Sequence, residues 1–175
     1  MRFFLLLFFT LLFGACSTLE VQNDYDPSYD FSKVKTFAIV HKQKEGEDGL
    51  TIKRIEKAMI KVLRKKGLMQ TQPSKADLVF LFHLNVTNKT EIYTDYQLVG
   101  YGRYGGMVIS TPRSYNYEEG KLVIDAYDPK INQTVYRVVV KDEIKQRKSP
   151  QEREKYIEEA IEKALKNFPP KIPNK

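Results

Sequence analysis

Cys16 is the only cysteine, and His41 and His83 the only histidines, of a 175-residue chain that lacks tryptophan, so the side chains that most often carry chemistry are scarce. One thiol excludes an intramolecular disulfide framework and a cysteine metal cluster, and two histidines far apart in sequence predict no histidine-rich metal site. No hydroxyl or thiol has a base at a recognisable spacing. Asp125 and Asp128 lie three apart across a predicted strand end and do not aim at one centre. Turn chemistry accounts for Asp128, and Asp125 reads as a solvent-facing strand residue. Gly100-Tyr101-Gly102-Arg103-Tyr104-Gly105 has the letters of a dinucleotide fingerprint, whose glycines bring a helix N-terminus against a pyrophosphate. The residues that follow, Met107-Val108-Ile109, read as a strand, so a loop or bulge is expected in place of a phosphate cradle. His41 at a strand end and His83 on the less apolar face of its strand read as structural or exposed histidines. Neither an enzyme, a metal site nor a cofactor is expected.

What chemistry the chain does carry is at its start. Met1-Arg2, the almost unbroken Phe and Leu run from Phe3 to Phe13, and the small Gly14-Ala15 follow the order of a secretory signal peptide. The run is shorter than the roughly 20 residues that a helix needs to cross a bilayer. Phe13-Gly14-Ala15-Cys16 resembles the lipobox of bacterial lipoproteins. That resemblance implies cleavage before Cys16 and acyl chains, palmitate among them, on its thiol and new amino group. At about 0.8 kcal/mol per buried methylene, two or three chains hold a protein on a membrane where one would not. Ser17 is not the aspartate that the inner-membrane retention rule of such lipoproteins asks for, which points to the outer membrane with the domain facing the periplasm.

The formal charge of +7 would suggest a nucleic-acid partner in another compartment, but an exported protein does not meet one. Acids and bases are also interleaved, as in Glu152-Arg153-Glu154-Lys155, which reads as a solvated helix face. Arg64-Lys65-Lys66 is the one basic cluster to consider against anionic lipid or polymer, and its place at a helix C-terminus explains it equally well.

These residues must be held by a mixed fold. Residues 16–30 are polar and read as the anchored N-terminus and a linker. Val34 to Val40 reads as a strand, and Ile52, Ile55, Met59, Val62 and Leu63 recur at helical spacing up to a C-terminal Gly67. Leu78, Phe80, Phe82, Leu84 and Val86 then alternate with period two. Asn88-Lys89 is expected to turn this strand into a partner over Glu91 to Val99. A short strand over Met107 to Ser110 and a hairpin of Leu122 to Tyr127 with Val135 to Val140 follow. Ser149, Pro150 and Glu152 have capping-box spacing ahead of the apolar stripe Tyr156, Ile157, Ala160, Ile161, Ala164, Leu165 and Phe168. The expected fold class is α+β, an antiparallel or mixed sheet with two helices on one face, in the order β-α-β-β-β-β-β-α. Residues 1–15 form the signal peptide, 31–170 a single domain and 171–175 a tail.

Tyr29-Asp30-Phe31-Ser32, Lys35-Thr36-Phe37, Leu63 to Leu68, Ala76-Asp77-Leu78, Glu119 to Asp125 and Ala160 to Pro170 together resemble the bacterial lipoprotein family known as domain of unknown function 4136. The Trp-Arg-Gly triplet common in that family is here Tyr136-Arg137-Val138. The resemblance implies an envelope lipoprotein with this element order and no assigned activity. Six of the eleven tyrosines, at 93, 96, 101, 104, 115 and 117, fall in or beside one irregular segment, and tyrosine suits recognition surfaces. Tyr96, Tyr101, Arg103, Tyr104 and Tyr115 are therefore the candidate partner-binding loop, and Cys16 the lipidation site. The expected role is that of a non-enzymatic, lipid-anchored assembly or accessory factor with an envelope protein partner. A periplasmic carrier of a lipid or other small apolar ligand is the alternative.

Overall fold

The computed structural model describes residues 19–42, 45–100, 106–144 and 149–170. Strands β1 (Glu20–Tyr25) and β2 (Thr36–Val40) precede helix α1 (Gly49–Lys65). After it come the short β3 (Met69–Gln70), β4 (Leu78–Val99), β5 (Met107–Asp128), β6 (Gln133–Glu143) and helix α2 (Pro150–Ala164). They form one six-stranded sheet in the order β1-β6-β5-β4-β2-β3. β2 runs parallel to both β3 and β4, while the other neighbours are antiparallel, so the sheet is mixed. The expected class holds, and both helices pack on one sheet face.

Local chemistry sets the helix ends. The Asp48 carboxylate accepts the Leu50 N–H at 3.0 Å and the Thr51 hydroxyl at 2.7 Å to start α1. At its other end Gly67 takes φ +88, and the N–H groups of Gly67 and Leu68 return to the carbonyls of Arg64 and Leu63. This double closure needs a left-handed residue, which is why glycine stands there. Ser149 and Glu152 exchange backbone and side-chain hydrogen bonds at the start of α2, the reciprocal capping box that their spacing predicts.

Ile55, Met59 and Leu63 from α1 and Ile161, Ala164 and Leu165 from the end of the chain cover Leu78, Phe80, Phe82, Leu122, Ile124 and Val138. Phe168 closes this core from beyond α2, with its ring 5.3 Å from Phe80, 5.1 Å from Tyr136 and 6.0 Å from Phe31 in edge-on contacts. Lys57, Lys61 and Lys65 face Glu154, Glu158 and Glu162 rung by rung at 2.5, 2.8 and 3.6 Å. The two helices therefore run side by side in the same direction. Exposed pairs of this kind contribute a few tenths of a kcal/mol each and chiefly select the helix register.

Asp77 ties the parallel half of the sheet together. One carboxylate oxygen accepts the N–H groups of Lys35 and Thr36 and the Thr36 hydroxyl at 3.1, 3.0 and 2.8 Å, and the other takes the Lys130 ammonium at 2.8 Å. The Lys130 contact, with the Thr36 and backbone donors behind it, holds this carboxyl well below the usual carboxylate range. Close by, the buried Asp128 accepts the Tyr29 hydroxyl at 2.7 Å and its own turn's Lys130 N–H at 2.7 Å, in keeping with a turn role.

Three expectations are corrected. Residues 20–25, inside the stretch read as a linker, form edge strand β1 against β6; Val21 and Tyr25 pack against the core while Glu20, Gln22 and Asp24 meet solvent, so the strand reads as polar. Asn88-Lys89 does not turn: β4 runs 22 residues without a break, and β5 another 22, absorbing the separate strands expected over 107–110 and 122–127. The element order is accordingly β-β-α-β-β-β-β-α.

Two outcomes follow from the packing. Phe168→Ala should lower unfolding free energy by about 3–5 kcal/mol in urea titrations. The Tyr136 hydroxyl is buried with no hydrogen-bond partner among the described residues, so Tyr136→Phe should leave stability unchanged or raise it by about 1 kcal/mol. A depressed carboxyl pKa stabilises the fold above its unfolded value of about 4 and loses that contribution as pH falls. Wild type should therefore exceed Asp77→Asn in melting temperature near neutrality, and the gap should close on acidification.

Candidate functional site

β4 and β5 outrun their neighbours. β2 accompanies β4 only from Leu78 to Leu81, and β6 leaves β5 at Glu119, with one further bond from the Ile144 N–H to the Glu118 carbonyl at 2.7 Å. From Lys89 opposite Tyr117 to Val99 opposite Met107, eleven pairs continue as a two-stranded ribbon. At about 3.4 Å per residue it projects roughly 35–40 Å from the sheet. Thr87, Thr90, Ile92, Tyr93, Thr94 and Tyr96 supply the β-branched and aromatic residues that favour this conformation.

The pleat sorts the ribbon into two unlike faces. Thr90, Ile92, Thr94, Tyr96 and Leu98, with Val108, Ser110, Pro112, Ser114 and Asn116 opposite, continue the helix-covered face of the sheet. Not one of them is charged, and Ile92, Tyr96, Leu98 and Val108 are 74, 70, 62 and 60% exposed. Lys89, Glu91, Tyr93, Asp95, Arg113, Tyr115 and Tyr117 occupy the other face. There Arg113 pairs with Asp95 at 3.3 Å, and the hydroxyls of Tyr115 and Tyr117 donate to Glu143 and Glu91 at 2.7 and 2.8 Å. The Glu91 bond pushes the Tyr117 hydroxyl up to about 12. Tyr115 and Tyr117 stack at 5.6 Å and, through Glu143 on β6, brace the ribbon at its root.

The candidate loop is thus divided. Tyr96 lies on the uncharged face and Tyr115 on the charged one, held by its bond to Glu143. Tyr101, Arg103 and Tyr104 lie outside the described residues, as does Cys16. Gly100 has φ +100 directly after β4, and the next described element is strand β5, not the helix a dinucleotide fingerprint needs. Ile92, Leu98 and Val108 were missed as surface residues. The signal was available, because the uncharged positions keep strict period two straight through Asn88-Lys89, which has no glycine to turn it.

Most of the remaining candidates make contacts within the fold. His41 donates from Nδ1 to the Phe82 carbonyl at 3.0 Å, places Nε2 2.8 Å from Glu47 and stacks on the Phe82 ring at 4.4 Å, pinning the loop ahead of α1. His83 is exposed on the sheet face away from the helices. Asp125 forms a fork with Arg137 across β5 and β6 at 2.6 and 2.9 Å. In the basic cluster, Arg64 bonds Gln70, Lys65 faces Glu162 and Lys66 reaches the Lys166 carbonyl. Among the described residues no three His, Cys, Asp or Glu side chains converge as a metal site, and no helix is long and apolar enough to cross a membrane. A surface depression lined by Arg64, Gln70, Thr71, Gln72 and Lys75 is open and polar.

Among the described residues the ribbon's edges are unpaired, and they are unequal. The Glu118 carbonyl, turned toward β6, shows that even-numbered β5 residues direct backbone groups away from β4, so Pro112 withdraws a donor from the free edge and none from the ladder. Proline at such an edge resists pairing with other strands. Pro112→Val should therefore leave the melting temperature unchanged and increase concentration-dependent light scattering.

The family described as Domain of unknown function (DUF4136) matches residues 21–170, and the chain belongs to it. No curated protein matches the chain by sequence. Among solved structures, a PDZ domain protein from Parabacteroides distasonis superimposes with a TM-score of 0.56 at 14% identity, over 89% of this chain and 36% of that one. The chain thus spans little more than a third of that relative. A PelC dodecamer from Paraburkholderia phytofirmans gives a TM-score of 0.50 at 12% identity, over 84% of this chain and 94% of that one. At these identities the likeness is one of fold.

Proposed function

For this member of the domain-of-unknown-function 4136 family, we propose a non-enzymatic role as a lipid-anchored assembly or accessory factor of the cell envelope, held at the outer membrane through acyl chains on Cys16 and facing the periplasm. The ribbon is the observation that carries this reading. A free-standing two-stranded ribbon with exposed Ile92, Tyr96, Leu98 and Val108 has little to hold it in isolation, and a contiguous exposed apolar patch marks an interaction surface. The PelC protein, of related fold, is a dodecamer, an instance of such a domain used in assembly. A carrier is less well supported, because the space between sheet and helices is filled by Phe37, Met59, Leu63, Phe80, Phe82 and Phe168.

Radiolabelled palmitate should enter the wild-type chain and not Cys16→Ser. Crosslinking of intact membranes followed by affinity capture should recover a stoichiometric envelope protein with wild type, and much less of it with Ile92→Lys or Leu98→Lys. Equal recovery with all three chains, at unchanged melting temperature, would overturn the role given to the ribbon.

A further inference from the structure

We propose that the uncharged face of the ribbon lies against the bilayer that holds the anchor, making the β4–β5 ribbon an interfacial membrane-binding element. The inference rests on the lipid anchor at Cys16 and takes the bilayer, not the envelope protein, as the occupant of this face; Ile92→Lys and Leu98→Lys then lower partner recovery by lifting the ribbon from the membrane.

Geometry carries it. β1 enters the sheet at Glu20, opposite Lys141 of β6, and Lys141 in turn lies opposite Lys121 of β5, two residues from Glu119, where β6 leaves β5. The anchored end and the ribbon therefore leave the sheet at the same end. Three residues lie between Cys16 and Glu20, so four residue steps give a reach of at most about 14 Å even when fully extended. The ribbon is rooted on β5 and β4, two and three strands or about 10–14 Å across the sheet from β1, so its roughly 35–40 Å cannot stand clear of the membrane along the normal, and a tilt of the domain lays it on the surface.

The composition of the two faces says which side is down. Ile92, Tyr96, Leu98, Val108 and Pro112 alternate with Ser and Thr on one side, with no charge to desolvate, while Lys89, Glu91, Asp95 and Arg113 stay on the other. At the tip, Val99, Met107 and Ile109 make the second face apolar as well, which suits the end placed deepest. The backbone groups along both edges, unpaired among the described residues, exclude a lone ribbon from the hydrocarbon core, where nothing would satisfy them. In the headgroup zone water reaches those edges while the apolar side chains are buried, the arrangement that amphipathic helices adopt at the same depth.

The absence of natural tryptophan makes the test direct. Single-tryptophan variants Ile92→Trp, Leu98→Trp, Asp95→Trp, Gln97→Trp and His83→Trp of the full lipidated chain are reconstituted into phosphatidylethanolamine and phosphatidylglycerol vesicles with brominated acyl chains. Emission at 92 and 98 should shift to the blue and be quenched, 95 and 97 much less, and 83, on the far face of the sheet, not at all. Circular dichroism checks that each variant is folded. Quenching at 92 and 98 no greater than at 83 in chains that float with the vesicles would overturn the inference and leave the anchored role standing. Failure to incorporate palmitate would remove the anchor and this inference with it. Protection of positions 92 and 98 that grows with protein concentration in detergent alone would identify a second copy as the occupant and equally overturn it.

Discussion

One ladder of backbone hydrogen bonds organises this molecule: the antiparallel pairing of β4 with β5, unbroken from Val79 opposite Tyr127 to Val99 opposite Met107. Its inner half supplies Phe80, Phe82, Leu122 and Ile124 to the core, and its outer half is the ribbon. Because the pleat is continuous, the face that packs under the helices and the uncharged face of the ribbon are the same face. Among the described residues no third strand flanks the outer half, which is held by its continuity with the core half. The Tyr115 and Tyr117 bonds to Glu143 and Glu91 stiffen the junction between the two halves.

Two kinds of contact surround that ladder. The helices contribute apolar area and a register fixed by the lysine and glutamate rungs. Asp77 contributes position: it gathers the start of β2, its own strand and the Lys130 turn around one carboxylate, and so brings a parallel strand to the edge of an otherwise antiparallel set. The residues that looked most chemical in sequence, His41, Asp125 and Asp128, are held in bonds that shape loops and strands.

Much of the fold was legible because it depends on local signals. The Ser149-Pro150-Glu152 cap, the Gly67 terminus and the Leu78-Phe80-Phe82 alternation each act within a few residues, and each appears where expected. β1 was hidden because an edge strand with one wet face needs only Val21 and Tyr25 to be apolar. The ribbon was only partly hidden: Glu91 to Val99 and Met107 to Ser110 read as strands, but their continuity through Asn88-Lys89 and beyond Ser110 did not. Tertiary burial did not shape its composition, so its Ser, Thr and Asn positions read as turns and loops although β-branched residues on both strands sustain the ladder. Tyrosine enrichment marked the right stretch of chain but not the division of its faces, which register alone decides.

The Asp77 clamp also bears on how the chain folds. The hairpin of β4 with β5 and that of β5 with β6 join neighbours in sequence, whereas the β2 pairing with β4 spans the whole of α1 and sets Thr36 beside Asp77. Loop closure over that separation is entropically costlier and slower than hairpin formation. The three-stranded meander, ribbon included, is thus placed to form first, with β2 and α1 docking onto it afterwards. A folding chain would then display its exposed ribbon before its core is closed.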